Sequence, residues 1–186
     1  KQEAPMELIG LLRQHIMGAL AMCFDANFKT LPVSNPPIFE AYKEVMIGID
    51  FFGKDYAQAY LHFARSTELD PNYMLPKLYM AVGYGNQGQY AKAEEILRLI
   101  NQNREQLSAF GCHLLDWYLA NIQGHNEESL KYILLAEKLA PKNYNVNYIV
   151  GLDELQLNRP QDTVKTYAKL DSKELETYYT RSAASW

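Results

Sequence analysis

Residues 53–71 read G-K-D-Y-A-Q-A-Y-L-H-F-A-R-S-T-E-L-D-P. Gly53 breaks a preceding helical pattern. Tyr56, Ala59 and Phe63 then fall at spacings of three and four, one face of an α-helix. Asp70-Pro71 ends that helix, because proline cannot continue it and restricts the residue before it. The same grammar returns 34 residues later as Tyr90, Ala93 and Leu97. It comes back after 36 more as Asn126, Ser129 and Ile133, and after another 34 as Pro160, Thr163 and Tyr167. The helix-breaking turn recurs as Gly88, Gly124 and Asn158, asparagine being the best non-glycine residue for a left-handed turn. Asp70-Pro71 is echoed by Ala140-Pro141. Self-similarity at such a period predicts stacked helical hairpins.

At these residues the chain resembles the tetratricopeptide repeat family, whose pattern places an aromatic, a leucine-glycine pair and a tyrosine on a first helix. Ala-x3-Phe and a proline follow on the second helix. The second repeat matches best, with Met80-Ala81, Tyr84, Gly88, Tyr90 and Ala93. The first keeps Ala59, Phe63 and Pro71, but its first helix is out of frame around Gly48. The third has Trp117 where a small residue is usual. The fourth keeps Val150-Gly151 and puts Glu154 at the tyrosine place. The likeness covers roughly residues 39–175. It implies an all-α fold, a right-handed α-α superhelix (a tetratricopeptide-like solenoid) of about four helix-turn-helix repeats flanked by an N-terminal and a C-terminal helix.

The division expected along the chain is an N-terminal amphipathic helix in 1–28, a proline-rich connector in 29–38, repeats over 39–171 and a C-terminal helix in 172–186. The helix pairs are predicted near 39–52 and 55–69, 73–87 and 89–102, 107–123 and 126–139, and 143–157 and 160–170. Short turns make each pair antiparallel. Ala59, Ala93 and Ser129 are small because facing helices approach closely there. In the N-terminal helix, Leu8, Leu12, Ile16, Ala19 and Cys23 form one stripe, widened by Leu11 and Leu20, and the stripe is expected to pack on the first repeat. Leu175, Tyr179, Ser182 and Trp186 space as one face of the last helix.

Length fits one domain or one short solenoid. The hydrophobic share of 48% argues against disorder, and the net charge of −4 is spread along the chain. Without a basic block to neutralise phosphates, nucleic acid is not expected as a partner. Residues 6–24 are apolar, but Glu7, Arg13, Gln14 and His15 argue against a membrane span. No signal peptide is read, and the missing initiator methionine suits a processed chain or a piece of a longer one. Cys23 and Cys112 lack C-x-x-C or zinc spacing and are expected as buried thiols. They leave the compartment open between the cytoplasm and an extracytoplasmic space.

The N-terminal L-I-x-x-L-R-Q-x-I-M-G-A-L-A, the proline-rich connector and Glu40-Ala41-Tyr42-Lys43 carry a narrower likeness. So do Arg104 to Ser108, Asp116-Trp117, Gly124 and Asn158-Arg159-Pro160. Together they resemble the C-terminal repeat arrays of bacterial signalling proteins, which follow protein kinase or DNA-binding domains. Neither domain is present in this sequence. The resemblance implies a regulatory or sensory part of a larger protein.

The constellations that could carry chemistry are weak. Gly83-Tyr84-Gly85-Asn86-Gln87-Gly88 matches the dinucleotide fingerprint by letter. That fingerprint needs a strand before it and a helix opening at its end, and here a helical pattern precedes it. No cofactor is expected. His15, His62, His113 and His125 have no ligand-spaced partner, and no metal site is expected. Glu94-Glu95 and Glu127-Glu128 sit in first turns of second helices, where the helix dipole favours negative charge. No catalytic residue is assigned, and the chain is not read as an enzyme.

In the repeat family the first helix of each pair lines the concave, partner-binding face. The corresponding positions here are Tyr79, Val82 and Asn86; Leu114, Tyr118 and Asn121; and Tyr148, Leu152 and Leu155. With almost no Lys or Arg among them, a clamp for terminal carboxylates is not expected. Tyr and Asn suit stacking and adaptable polar contacts. The expectation is a non-catalytic scaffold that grips a protein or peptide segment through a tyrosine-rich groove centred on Tyr118, with a glycan or small molecule as the alternative ligand. Tyr118→Ala is then expected to cost less folding stability than Leu97→Ala.

Overall fold

The computed structural model describes residues 5–25 and 36–170. The connector largely, and the C-terminal helix expected at 172–186, lie outside the described residues. Among the described residues the chain is all-helical, with nine α-helices: α1 (Pro5–Phe24), α2 (Phe39–Phe51), α3 (Tyr56–Leu69), α4 (Leu75–Asn86), α5 (Tyr90–Asn101), α6 (Ala109–Ile122), α7 (Asn126–Leu139), α8 (Tyr144–Gln156) and α9 (Pro160–Tyr167). A single 3-10 turn, Arg104–Gln106, follows α5. Every predicted hairpin from 39 onward is present, with ends that match or move inward by up to three residues.

The turns form where the sequence placed them. Gly53, Gly88 and Gly124 have φ of 84°, 72° and 75°, and Asn158 has φ of 57°. These left-handed residues reverse the chain between the two helices of each pair at little steric cost. Helix starts are fixed locally. The Asp55 carboxylate accepts from the Gln58 amide at 3.0 Å, and the Asn143 side chain accepts from the Val146 amide at 3.1 Å, each satisfying an orphan donor of the first turn. Asp70 ends α3 and ties the chain beyond it. Its two carboxylate oxygens accept from the amides of Ile38 at 3.1 Å and Asn72 at 3.2 Å.

The helices divide between two compact units, α1–α5 and α6–α9. In the first, Ala41 and Val45 of α2 meet Ala59 and Phe63 of α3 and Tyr73 before α4. Ser66 donates to the Ala41 carbonyl at 2.9 Å inside this contact. Gly48 belongs to it as well, since a Cβ there would lie 2.5 Å from the Phe63 ring. The frame slip read around Gly48 thus keeps a bare backbone under Phe63. Ala93 and Leu97 of α5 are fully buried in the same unit.

The second unit is built on Phe110, Leu130, Ile133, Ala136, Ala140, Val146 and Val150, with Leu114, Trp117 and Ile149 packed against them. The small positions Ser129 and Thr163 are buried, as Ala59 and Ala93 are in the first unit. Outside the core, Arg159 reaches back from the start of α9 and donates to both Glu127 oxygens at 2.9 Å.

The stripe of α1 does not pack inward as expected. Leu8, Leu12, Ile16 and Leu20 are exposed, whereas Met22 is buried. Gly18 rests against the Pro37 carbonyl, where no Cβ would fit. The His15 Nδ1–H donates to the Pro36 carbonyl at 3.0 Å. The small, close-approach side of the helix faces α2, and the bulky side is left outward. Cys23 is accordingly exposed rather than buried, and Cys112 is half-buried. Among the described residues no helix is long and apolar enough to cross a membrane.

Candidate binding surface

The first-helix positions do not share one environment. Tyr79 of α4 is half-buried, with its ring 5.4 Å from Phe52 edge-on and 5.5 Å from Phe63 face-on. It is part of the aromatic core of its unit. Val82 is half-buried, and Asn86, at the end of α4, is exposed. In the other unit Leu114 is packed against the core, and Asn121 is half-buried. Tyr118 is only 6% exposed and stacks on Trp117 at 5.4 Å. An enclosed ring offers a ligand little area, so Tyr118 is placed as a packing residue. Tyr148 stacks between Tyr144 at 6.2 Å and Tyr167 at 6.1 Å. Leu152 and Leu155 continue its face at helical spacing and are exposed at 37% and 49%.

A denser assembly stands around Asn86. The Tyr56 and Tyr60 rings, one turn apart on α3, lie 6.0 Å from each other. Tyr60 meets Tyr84 of α4 at 4.6 Å. Gly83 makes this approach possible, because a Cβ on it would lie 2.7 Å from the Tyr60 hydroxyl. Side-chain amides then cover the hydroxyl edge. Gln87 donates to the Tyr60 hydroxyl at 2.6 Å and Asn86 to that of Tyr56 at 3.4 Å. Gln89 donates to Gln87 at 3.4 Å, and Lys92 donates to Gln89 at 2.8 Å. The Lys92 ammonium also sits 5.3 Å from the centre of the Tyr84 ring, a cation–π distance. Burial, then the nearby Tyr84, push the Tyr60 hydroxyl up to about 12, against the hydrogen bond from Gln87. It is therefore a neutral donor at physiological pH.

The sequence motif at this place has a different meaning from its letters. Gly83 and Gly85 lie inside α4, and Gly88 is the left-handed turn after it. The glycine string is a helix ending, where carbonyls rather than amide donors are unsatisfied, which is the wrong end for a pyrophosphate. In the sequence, Tyr56, Tyr84 and Tyr90 fall at repeat-signature positions, which do not mark them as surface. The available signal was the Tyr56/Tyr60 pair at i, i+4 together with Asn86-Gln87-x-Gln89, whose amides must project at a helix end.

Buried polar chemistry is concentrated in the second unit. Asp153, 2% exposed, accepts from Ser129 at 2.6 Å and from the Trp117 indole at 3.0 Å. Burial raises its pKa above the ordinary carboxylate range, and the two hydrogen bonds oppose that shift. Trp117 thus occupies its unexpected place in order to hold an acid from α8. Next to it, Glu154 is buried, and one carboxylate oxygen has no hydrogen-bond partner. The other acid pairs are surface groups, Glu94 bridging to Arg98 at 2.8 Å and Glu128 lying 3.7 Å from His125. Among the described residues no group of three or more His, Cys, Asp or Glu could hold a metal ion. No protein-family model and no curated protein matches this chain.

Proposed function

We propose that the chain is a non-catalytic, tetratricopeptide-like module that binds a protein or peptide segment. In this reading its hairpins wind as a right-handed superhelix, and it forms the regulatory or sensory part of a larger bacterial protein. The observation that carries the binding reading is the tyrosine–amide array of Tyr56, Tyr60, Tyr84, Asn86 and Gln87. Rigid aromatic edges beside fixed amide donors and acceptors suit an extended backbone, whose peptide groups need both. Lys92 adds one positive charge for an acidic side chain. The superhelix and the wider biological role rest on the family resemblance.

A random-peptide display selection on the whole chain tests the reading. Enriched peptides should lose roughly thirtyfold or more in affinity on Tyr84→Ala, as expected of an aromatic anchor. Equal binding by the variant would refute the assignment. The compactness of the three rings favours one second reading, a glycan stacked on the tyrosine edges. Enrichment of oligosaccharides rather than peptides at the same residues would select it.

A further inference from the structure

Among the described residues, helix α1 is covered on one side only. It packs on α2, while Met6, Ile9, Leu12, Ile16, Leu20 and Phe24 are between 51% and 85% exposed. Taken at roughly 200 Å2 for a large side chain in full exposure, these six leave about 800 Å2 in water. A standard interface takes about 800 Å2 from each partner, so this one helix is large enough to form one. It is also more apolar surface than a monomer ordinarily leaves open in one patch.

The spacing on that face points to its occupant. Met6, Arg13 and Leu20 recur every seven residues, and so do Ile9, Ile16 and Cys23, three positions further on. This is the a and d pattern of a helix that packs against another of the same period. An anionic membrane surface is a poor match. Membrane-surface helices carry many Lys and Arg on the polar face, whereas Glu7 and Arg13 are the only Lys, Arg, Asp or Glu of α1.

We propose that two copies of the chain associate through α1, packed antiparallel. In a parallel pair Arg13 would face its own copy in one layer, a like-charge contact. Antiparallel, with a layers meeting d layers, Arg13 falls opposite Ile16 of the partner subunit and can extend its guanidinium to the edge. Ile9 then meets Leu20 of the partner subunit, and Met6 meets Cys23 of the partner subunit. The two helix dipoles oppose one another.

Light scattering on the whole, reduced chain should give twice the chain mass. Ile16→Asp should raise the dissociation constant by roughly thirtyfold or more. It should leave the helical circular dichroism unchanged, because Ile16 faces solvent in the single chain. Met6→Cys should yield a covalent dimer on mild oxidation through Cys23. Residues 6 and 23 of one helix are about 25 Å apart, so that bridge forms only between copies. A monomer at every concentration, whether or not it binds anionic vesicles, would overturn the proposal. So would a dimer that survives Ile16→Asp. A wild-type Cys23 disulfide dimer, with no bridge from Met6→Cys, would overturn the antiparallel register.

Discussion

Replacing Gly48 by alanine tests the packing of the first unit at its tightest point. The new Cβ would lie 2.5 Å from one Phe63 ring carbon and 2.7 Å from another, against the 3.5–4.0 Å of a normal carbon contact. The ring must move by about 1 Å to relieve this. It has little room, being fully buried, with Phe52 at 6.2 Å and Tyr79 at 5.5 Å from its centre. Overpacking of this kind costs about 1–3 kcal/mol. Gly48 is also a helix-interior residue of α2, where alanine gains about 1 kcal/mol in propensity. The net effect of Gly48→Ala is therefore destabilisation by about 1 kcal/mol. In a Phe63→Ala background, which itself costs about 3–5 kcal/mol, the clash is absent and only the propensity gain remains. Gly48→Ala should then stabilise, so the same substitution changes sign. A urea double-mutant cycle followed by far-ultraviolet circular dichroism measures this, with trimethylamine oxide present to keep the weakest variant folded. The first unit contains no tryptophan in its sequence. Its unfolding is the part of the dichroism change that tryptophan fluorescence does not follow. An effect of equal size and sign in both backgrounds would refute the close approach of Gly48 and Phe63.

Three further outcomes are expected. Tyr118→Ala should cost about as much stability as Leu97→Ala, about 2–5 kcal/mol, measured by urea unfolding; a near-zero cost would return Tyr118 to the surface. Asp153 has a raised folded-state pKa, so its contribution to stability is complete below the ordinary carboxylate range and is lost as pH rises through the folded value. Asp153→Asn lacks that loss, so its stability relative to wild type should improve as pH rises from the ordinary aspartate value of about 4 through the raised folded value, and level off above it. A constant difference across that range would contradict the buried carboxylate. Gly124→Ala should cost about 1–2 kcal/mol because φ there is left-handed, whereas Asn158→Gly should be close to neutral by thermal melting.

The hairpins were legible because each depends on local chemistry. A left-handed turn demands Gly or Asn, and the four turn residues were visible without any knowledge of packing. The buried small positions Ala59, Ala93 and Ser129 were equally visible, since each follows its turn glycine by five or six residues. What was not legible depends on which of two neighbours wins. Apolar residues lie on nearly all sides of α1, so periodicity found a stripe but not the side that packs. That choice was made by Gly18, which alone lets the helix reach the Pro37 carbonyl. An aromatic on a first helix can line a groove or enter the core with identical spacing. Phe52 and Phe63 draw Tyr79 inward, and Trp117 holds Tyr118. The Trp117–Asp153–Ser129 contact joins residues from three helices, separated by 36 and 24 positions, and no local pattern announces it.

The central claim, that the tyrosine–amide array receives a protein segment, is tested most directly by mapping a display-selected peptide onto the whole chain by heteronuclear NMR. The largest shifts should fall on Tyr56, Tyr60, Tyr84, Asn86, Gln87 and Lys92. Shifts confined to the outer face of α1, or to Tyr148, Leu152 and Leu155, with those six residues unmoved, would contradict it.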